Sequence, residues 1–310
     1  MKVCFLYPGQ GAQYAGMGRD LYEASESVRT LVEAASDATS MDLKKLLFEG
    51  TDEELAATDK TQVSITVVNL AARLVLREHG IESEGAAGFS LGEYSALHDA
   101  GVLALADVMR VVRIRGDAME KASRALDTPT GKPGMIAVIG LEFDRAREVL
   151  AKLDGKAFLA NRSSPNQIVV AGTQEGLAAA EHDFTEAGAM RIIPLKVSGP
   201  FHTPLIASAS EELADTLSEV TFSDPQKPVY ANVTGARITS GAEARELCVR
   251  QVFSPVQWVD EEQAILDDGF DSVIEVGPGT VLSGLWKSFH RGFRSKPAGK
   301  LSDIESITAG

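Results

Sequence analysis

Cysteine, tryptophan and positive charge are all scarce in this 310-residue chain: two cysteines, two tryptophans, and 30 Lys and Arg against 44 Asp and Glu. Cys4 and Cys248 lie far apart and show no metal or redox spacing. A disulfide framework is thereby excluded, and a reducing, cytoplasmic setting is expected. The formal net charge of -14 argues against nucleic acid and against an anionic membrane as partners. No apolar run approaches the length of a bilayer span, and Val3–Tyr7, closed by Pro8-Gly9, is too short for a signal peptide. What remains is ordinary globular composition, 44% hydrophobic and 24% charged, enough to bury one large domain or a large and a small one.

Strand-like and helix-like segments alternate. Lys2 to Tyr7 reads as a buried strand, followed by a glycine turn and helical patterns over Met17–Ala38, Val63–His79 and Ala106–Lys121. Such alternation predicts an α/β fold with a mainly parallel sheet covered on both faces. A turn-rich stretch, Asp127 to Pro133, then opens a segment with its own rhythm. Strands are expected at Met135–Leu141, Lys156–Ala160, Gln167–Ala171 and Met190–Val197, with helices at Phe143–Leu153 and Gln174–Ala187. This β-α-β-β-α-β order is that of a ferredoxin-like domain. It divides the chain into a discontinuous large domain, residues 1–125 and 198–310, and an insertion, 126–197. Ser272–Val276, before Gly277-Pro278-Gly279, reads as one more strand of the large sheet. The polar tail beyond about Phe293 is expected to be held loosely.

Chemistry is concentrated at Gly88-Phe89-Ser90-Leu91-Gly92-Glu93. A serine between two glycines, at a strand-to-helix turn, has its hydroxyl exposed at a helix N-terminus, where developing negative charge is favoured. Acyl transfer through a serine ester follows as a hypothesis, and it requires a base. Of five histidines, His79 and His98 close helices, His182 lies on a solvated helix and His290 in a basic stretch. His202 sits in Ser198-Gly199-Pro200-Phe201-His202-Thr203-Pro204, a rigid turn at the seam between the two expected domains. No aspartate is singled out to orient it, which leaves an amide or a backbone carbonyl. The turn Pro8-Gly9-Gln10-Gly11 can present the Gln10 amide to an oxyanion, with the Leu91 amide as second donor. Because no Gly-Lys-Ser/Thr follows and the glycine spacing misses the dinucleotide fingerprint, no nucleotide cofactor and no metal is expected.

Arg115 bears on the substrate. At a period of 3.6 residues it falls within the apolar stripe Val108, Val111, Val112, Ala118, Met119 of its helix. A buried guanidinium requires a partner, either a protein carboxylate such as Glu93 or a carboxylate of the substrate. Asn161 and Gln251 are polar residues in apolar or turn surroundings, suited to orienting a histidine, bonding an acyl group or simply capping a loop.

These motifs, with Ser254-Pro255-Val256-Gln257-Trp258 and Glu275-Val276-Gly277-Pro278-Gly279 in the same order, resemble those of malonyl-CoA:acyl-carrier-protein transacylases and the acyltransferase domains of fatty-acid and polyketide synthases. The resemblance extends to about Leu285. It implies an α/β-hydrolase-like large domain with a ferredoxin-like insertion, Ser90 as nucleophile, His202 as general base and acid, and Arg115 as the clamp on the malonyl carboxylate. It further implies oxyanion amides from Gln10 and Leu91, with Gln251 and Asn161 organising the pocket. Malonyl-CoA and a holo acyl carrier protein are the implied substrates, the phosphopantetheine belongs to the carrier, and the chain is expected to act as a monomer. The chain departs from the pattern at Phe89, where the family usually has histidine. Phe201 resembles the bulky residue of malonyl-selective members. Two other readings stand beside this one: a hydrolase using His290 with Asp267, Asp268 or Asp271, and an acyl-binding protein without turnover.

Overall fold

The computed structural model describes residues 2–129, 131–153 and 155–309; Thr130, in the turn-rich stretch, lies outside them. Ten strands are formed among these residues: β1 (Val3–Tyr7), β2 (Gly85–Gly88), β3 (Gly134–Ile139), β4 (Ala157–Ser164), β5 (Gln167–Gly172), β6 (Arg191–Pro194), β7 (Tyr230–Ala231), β8 (Ala236–Arg237), β9 (Ser272–Glu275) and β10 (Lys296–Pro297). They make an α/β fold whose main sheet has the order β10-β9-β1-β2, every pair parallel. All five residues of β1 are buried, as expected for a parallel strand covered on both faces.

The helix Thr58–Glu78 runs through the core with apolar and polar residues alike buried. Against it packs Leu105–Arg124, whose inward face carries Val108, Val111, Val112 and Met119. Gly116 lets the two helices close: a Cβ there would stand 3.1 Å from Asp59 Cα.

The second sheet is antiparallel, in the order β4-β5-β3-β6. Its central strands β3 and β5 alternate, whereas β4 is interrupted by irregularities between Leu159 and Asn161 and between Arg162 and Ser164. Ile136 and Val138 join the apolar layer beneath the helices Phe143–Leu150 and Gln174–Glu186, while Met135 and Ala137 point into the principal core. Main-chain bonds Arg162 N–H to Val256 O (2.8 Å) and Val256 N–H to Ala160 O (2.9 Å) stitch β4 to the rest of the molecule, and Arg162 pairs with Asp260 at 2.7 Å.

Three expectations need correction. The helix predicted over Met17–Ala38 is two, Arg19–Ala24 and Glu26–Thr39, because Ser25 turns extended and its hydroxyl accepts the Val28 N–H. The helix predicted from Val63 starts five residues earlier, at Thr58. The tail is not loosely held. Its β10 extends the main sheet on β9, Ala298 and Ile304 are fully buried, and the Leu301 N–H bonds Asp20 at 2.7 Å, fastening the helix Leu301–Thr308.

Candidate active site

Strand β2 ends at a turn that only glycine can flank. A Cβ on Gly88 would collide with the Gly92 backbone, and one on Gly92 with the Tyr7 carbonyl. Between them Ser90 is held at φ 53°, in the left-handed region, a strained position for a non-glycine residue. The helix Gly92–Asp99 follows at once. Asn232 braces the turn from both sides: its Oδ1 accepts the Ser90 N–H at 2.6 Å and its Nδ2 donates to the Gly88 carbonyl at 2.7 Å.

His202, equally unusual at φ 62°, reaches across the cleft. Its Nε2 lies 2.7 Å from Ser90 Oγ, and its Nδ1 lies 2.8 Å from the Gln251 carbonyl. A carbonyl only accepts, so the proton sits on Nδ1 and Nε2 is free to accept from the serine. Burial, and then the positive charge of Arg115, lowers the histidine to about 4, against the opposing pull of the Gln251 and Ser254 backbone. The imidazole is therefore neutral, as a base must be, at neutral pH.

Arg115 is 1% exposed. Its Nη1 donates to Gln62 Oε1 at 2.7 Å, and Nη2 to Gln251 Oε1 at 3.0 Å and to Ser90 Oγ at 3.3 Å. The guanidinium lies over the Tyr94 ring at 5.4 Å, and its Nε has no partner. No carboxylate of a described residue touches it: the pairing with Glu93 considered from sequence is interrupted by the Gln251 amide, whose Nε2 donates to Glu93 at 2.6 Å.

Gln251, last residue of the helix Gly241–Gln251 and fully buried, thus touches all three groups, since its Nε2 also donates to the Ser90 carbonyl at 3.0 Å. Gln10 follows Gly9, which abuts the Phe89 carbonyl. Its side chain reaches Thr58 Oγ1 at 3.4 Å, and Asn69 secures the turn by donating to the Pro8 carbonyl at 3.0 Å. The amides of Gln10 and Leu91 bond no other described residue, as a pair of oxyanion donors requires.

A cavity of about 80 Å³ joins these groups, lined by Gln10, Phe89, Ser90, Arg115, Met119, Met135, Asn161, Leu195, Val197, Phe201 and His202. Asn161, on β4 and bridged to Val256, presents an Oδ1 with no partner. Leu91 is buried beneath the turn, and Phe201 is 5% exposed at the cavity wall. Phe89 lies against the Trp258 ring, centroids 5.4 Å apart, so the residue that departs from the family pattern is held by aromatic packing.

The alternative histidine is elsewhere engaged. His290 packs on Trp286 and Phe293. Asp268 accepts from Tyr230 at 2.5 Å and from Arg237, Asp271 from the Lys2 N–H at 2.8 Å, and Asp267 from Gln263 at 2.8 Å. Sequence reasoning missed Gln62, Asn69 and Asn232. Their one signal is a polar residue inside an otherwise apolar run, as in Tyr230-Ala231-Asn232-Val233.

A serine on a glycine-flanked turn, a neutral histidine and a buried guanidinium facing the same small cavity are the groups that acyl transfer through a serine ester requires. The chain belongs to the acyl transferase domain family, whose match spans residues 4–307. Within it, the chain is 37% identical over 309 residues to the malonyl CoA-acyl carrier protein transacylase of Bacillus subtilis (strain 168), covering 99% of this chain and 95% of that one. It is 33% identical over 307 residues to the protein of the same name from Staphylococcus aureus (strain COL), covering 98% and 97%. Among solved structures, MCAT from Streptococcus pneumoniae superposes with a TM-score of 0.94 at 36% identity, covering 99% of each chain. A malonyl-transacylase in complex with its type II PKS acyl-carrier protein gives a TM-score of 0.94 at 33% identity, over 100% of this chain and 99% of that one.

Proposed function

We propose that this chain transfers the malonyl group of malonyl-CoA to the phosphopantetheine thiol of a holo acyl carrier protein, serving fatty-acid or polyketide synthesis. The observation that carries the reading is Arg115: a fully buried cation, 3.3 Å from Ser90 Oγ, with amides and a hydroxyl but no carboxylate around it. Such a group favours an acyl chain that brings its own carboxylate.

Ser90 Oγ attacks the thioester carbonyl while its proton passes to His202 Nε2. The amides of Gln10 and Leu91 hold the oxyanion; one such donor contributes roughly 3–4 kcal/mol. As the carbon–sulfur bond breaks, the leaving thiolate takes the proton back from His202, and malonyl-Ser90 remains. The carrier thiol then gives its proton to His202 and attacks the ester, restoring Ser90 in a ping-pong cycle. Gln251 keeps His202, Arg115 and the Ser90 turn in register, and Asn161 offers its free Oδ1 to the pocket. Phe201 and the small cavity leave less room for a branched methylmalonyl group than for malonyl, a strong but incomplete preference, with Phe89 as part of the same wall.

Residues 126–197 are read as a ferredoxin-like insertion in a large α/β-hydrolase-like domain formed by 1–125 and 198–310. The helix-crossed antiparallel order β4-β5-β3-β6 supports this, and Met135 of β3 and Asn161 of β4 line the cavity. The protein is taken to work as a cytoplasmic monomer, with neither nucleic acid nor membrane as partner. No described helix is long and apolar enough to cross a membrane. The acidic carrier is expected to dock on one of two basic sets, Lys287, Arg291, Arg294, Lys296 and Lys300, or Lys132, Lys156, Arg191 and Lys196. Reversing charge at Lys287 and Arg291 should raise the carrier KM if the first set is used.

Intact mass after mixing with malonyl-CoA, then with holo carrier protein, tests the reading. A malonyl adduct on Ser90 that moves to the carrier supports it. An adduct released to water at the same rate without carrier would make the chain a hydrolase, and no adduct would remove the assignment.

A further inference from the structure

Arg115 is a buried charge without a carboxylate in contact, yet a carboxylate stands one amide away. Gln251 Oε1 accepts from Arg115 Nη2 at 3.0 Å, and Gln251 Nε2 donates to Glu93 Oε2 at 2.6 Å. Glu93 is fully buried, and its Oε1 has no hydrogen-bond partner. Resting on the malonyl reading above, we propose that Glu93 is a positioning residue for substrate selection: through Gln251 it balances Arg115 in the free enzyme, and it takes up a proton when a malonyl carboxylate reaches Arg115.

The surroundings of Glu93 favour this exchange. From its own helix Tyr94 lies adjacent; Gln251 and Cys248 face it from the helix Gly241–Gln251, and Arg115 from Leu105–Arg124. The Asn232 N–H donates to Glu93 Oε2 at 3.1 Å, and the Asn232 side chain links onward to Glu261, itself fully buried. Among these neighbours Arg115 is the one cation, and it adds to the hydrogen bonds of Gln251 and Asn232 in favouring the ionised form of Glu93. Burial raises the Glu93 carboxyl to about 7, with Gln251, Asn232 and Arg115 opposing in that order. The group is thus balanced between its two forms at neutral pH. A substrate carboxylate on Arg115 cancels the Arg115 contribution, so that burial is opposed only by the hydrogen bonds of Gln251 and Asn232 and the balance moves toward protonated Glu93. The proton comes from solvent, and the buried charge stays balanced before and after. An acetyl group brings no charge and leaves that balance as it was.

Glu93→Gln tests this, because the amide oxygen still accepts from Gln251 and Asn232 while the titrating proton is gone. The malonyl-CoA KM is measured from about pH 6 to about pH 8.5 in both proteins, with acetyl-CoA acylation of Ser90 as a control for the ionisation of coenzyme A itself. In the wild type the malonyl KM, corrected by that control, should rise roughly three- to tenfold across the window, with kcat moving less. In Glu93→Gln the corrected KM should be flat and lower at the alkaline end. A variant that retains the wild-type rise overturns the proposal. A second measurement needs no change at Glu93: calorimetry of Ser90→Ala in two buffers of different ionisation heat should find more proton uptake with malonyl-CoA than with acetyl-CoA. Equal uptake also overturns it. Should the wild type form no malonyl-Ser90 adduct at any pH, the functional reading itself fails; an adduct with a flat corrected KM sinks the Glu93 proposal alone.

Discussion

Arg73 and Arg115 both point inward from long helices, and they are partnered in opposite ways. Arg73 meets Asp99 at 2.5 Å, Lys227 joins the same carboxylate at 3.0 Å, and Ser83 donates to it at 2.7 Å. Burial opposes the charge on Arg73, but Asp99 outweighs it and the guanidinium is raised above its ordinary value. Burial likewise opposes ionisation of Asp99, and Arg73 and Lys227 overcome it, so the carboxyl is lowered. That cluster is complete. Arg115, more deeply buried, has two glutamine oxygens and a serine hydroxyl, and burial lowers it with only partial relief from Tyr94 and Glu93. A buried cation matched by a carboxylate serves stability; the neutral acceptors around Arg115 leave its charge unmatched, which is what the proposed malonyl carboxylate would supply.

The comparison can be broken most sharply at Arg115. Arg115→Ala should lower malonyl-CoA kcat/KM by about 10²- to 10³-fold, roughly 3–4 kcal/mol, the loss expected for a desolvated charge pair. Stability should fall by only about 1–2 kcal/mol, since Glu93 is reached only through Gln251 and can take up a proton, while Gln62 and Gln251 lose a donor; denaturation followed alongside activity checks both. Asp99→Asn should do the reverse, costing about 2–4 kcal/mol of stability while folded enzyme keeps its transfer rate. Because the folded Asp99 carboxyl is lowered, its stabilisation is complete above its unfolded value near ~4 and is lost as pH falls through the lower, folded value. The gap between wild type and Asp99→Asn, read from urea curves, should therefore close in acid.

A smaller effect links Arg115 to the base. Its charge is the second cause of the depressed His202, so the acid limb of Ser90 acylation, expected near pH 4 in the wild type, should move upward in Arg115→Ala. An acetyl-CoA pH profile on both proteins reads that shift, and an unmoved limb would show that Arg115 and His202 are electrostatically independent. Last comes Phe201→Ala, which enlarges the cavity wall. Competition assays should show methylmalonyl transfer gaining about tenfold relative to malonyl, roughly 1–2 kcal/mol for one methyl group.

Much of this was legible in the chain. The glycines around Ser90, the rigid turn of His202 and the inward phase of Arg115 each follow from local rules, and alternation in residues 134–194 shows both sheet faces. The rest depends on what meets what. Thr58, Thr61 and Gln62 look like a polar lead-in to a helix, yet all three are fully buried, because that end of the helix lines the cleft: Gln62 bonds Arg115, and Thr58 Oγ1 meets Ser198 Oγ at 2.6 Å. Asn232 lies 142 residues from the Ser90 amide it holds, beyond any periodicity. The tail misleads because Ala298, Leu301, Ile304 and Ile307 are sparse among polar neighbours, and only their docking on the core reveals them as apolar anchors.

The central claim is that Arg115 selects an acyl group by its carboxylate. Rapid-quench intact mass of Ser90, with malonyl-CoA and acetyl-CoA side by side in wild type and Arg115→Ala, tests it most directly. The account predicts that the wild type acylates far faster with malonyl-CoA and that the variant loses that preference while still accepting acetyl groups. A variant that keeps the wild-type preference for malonyl-CoA would contradict it.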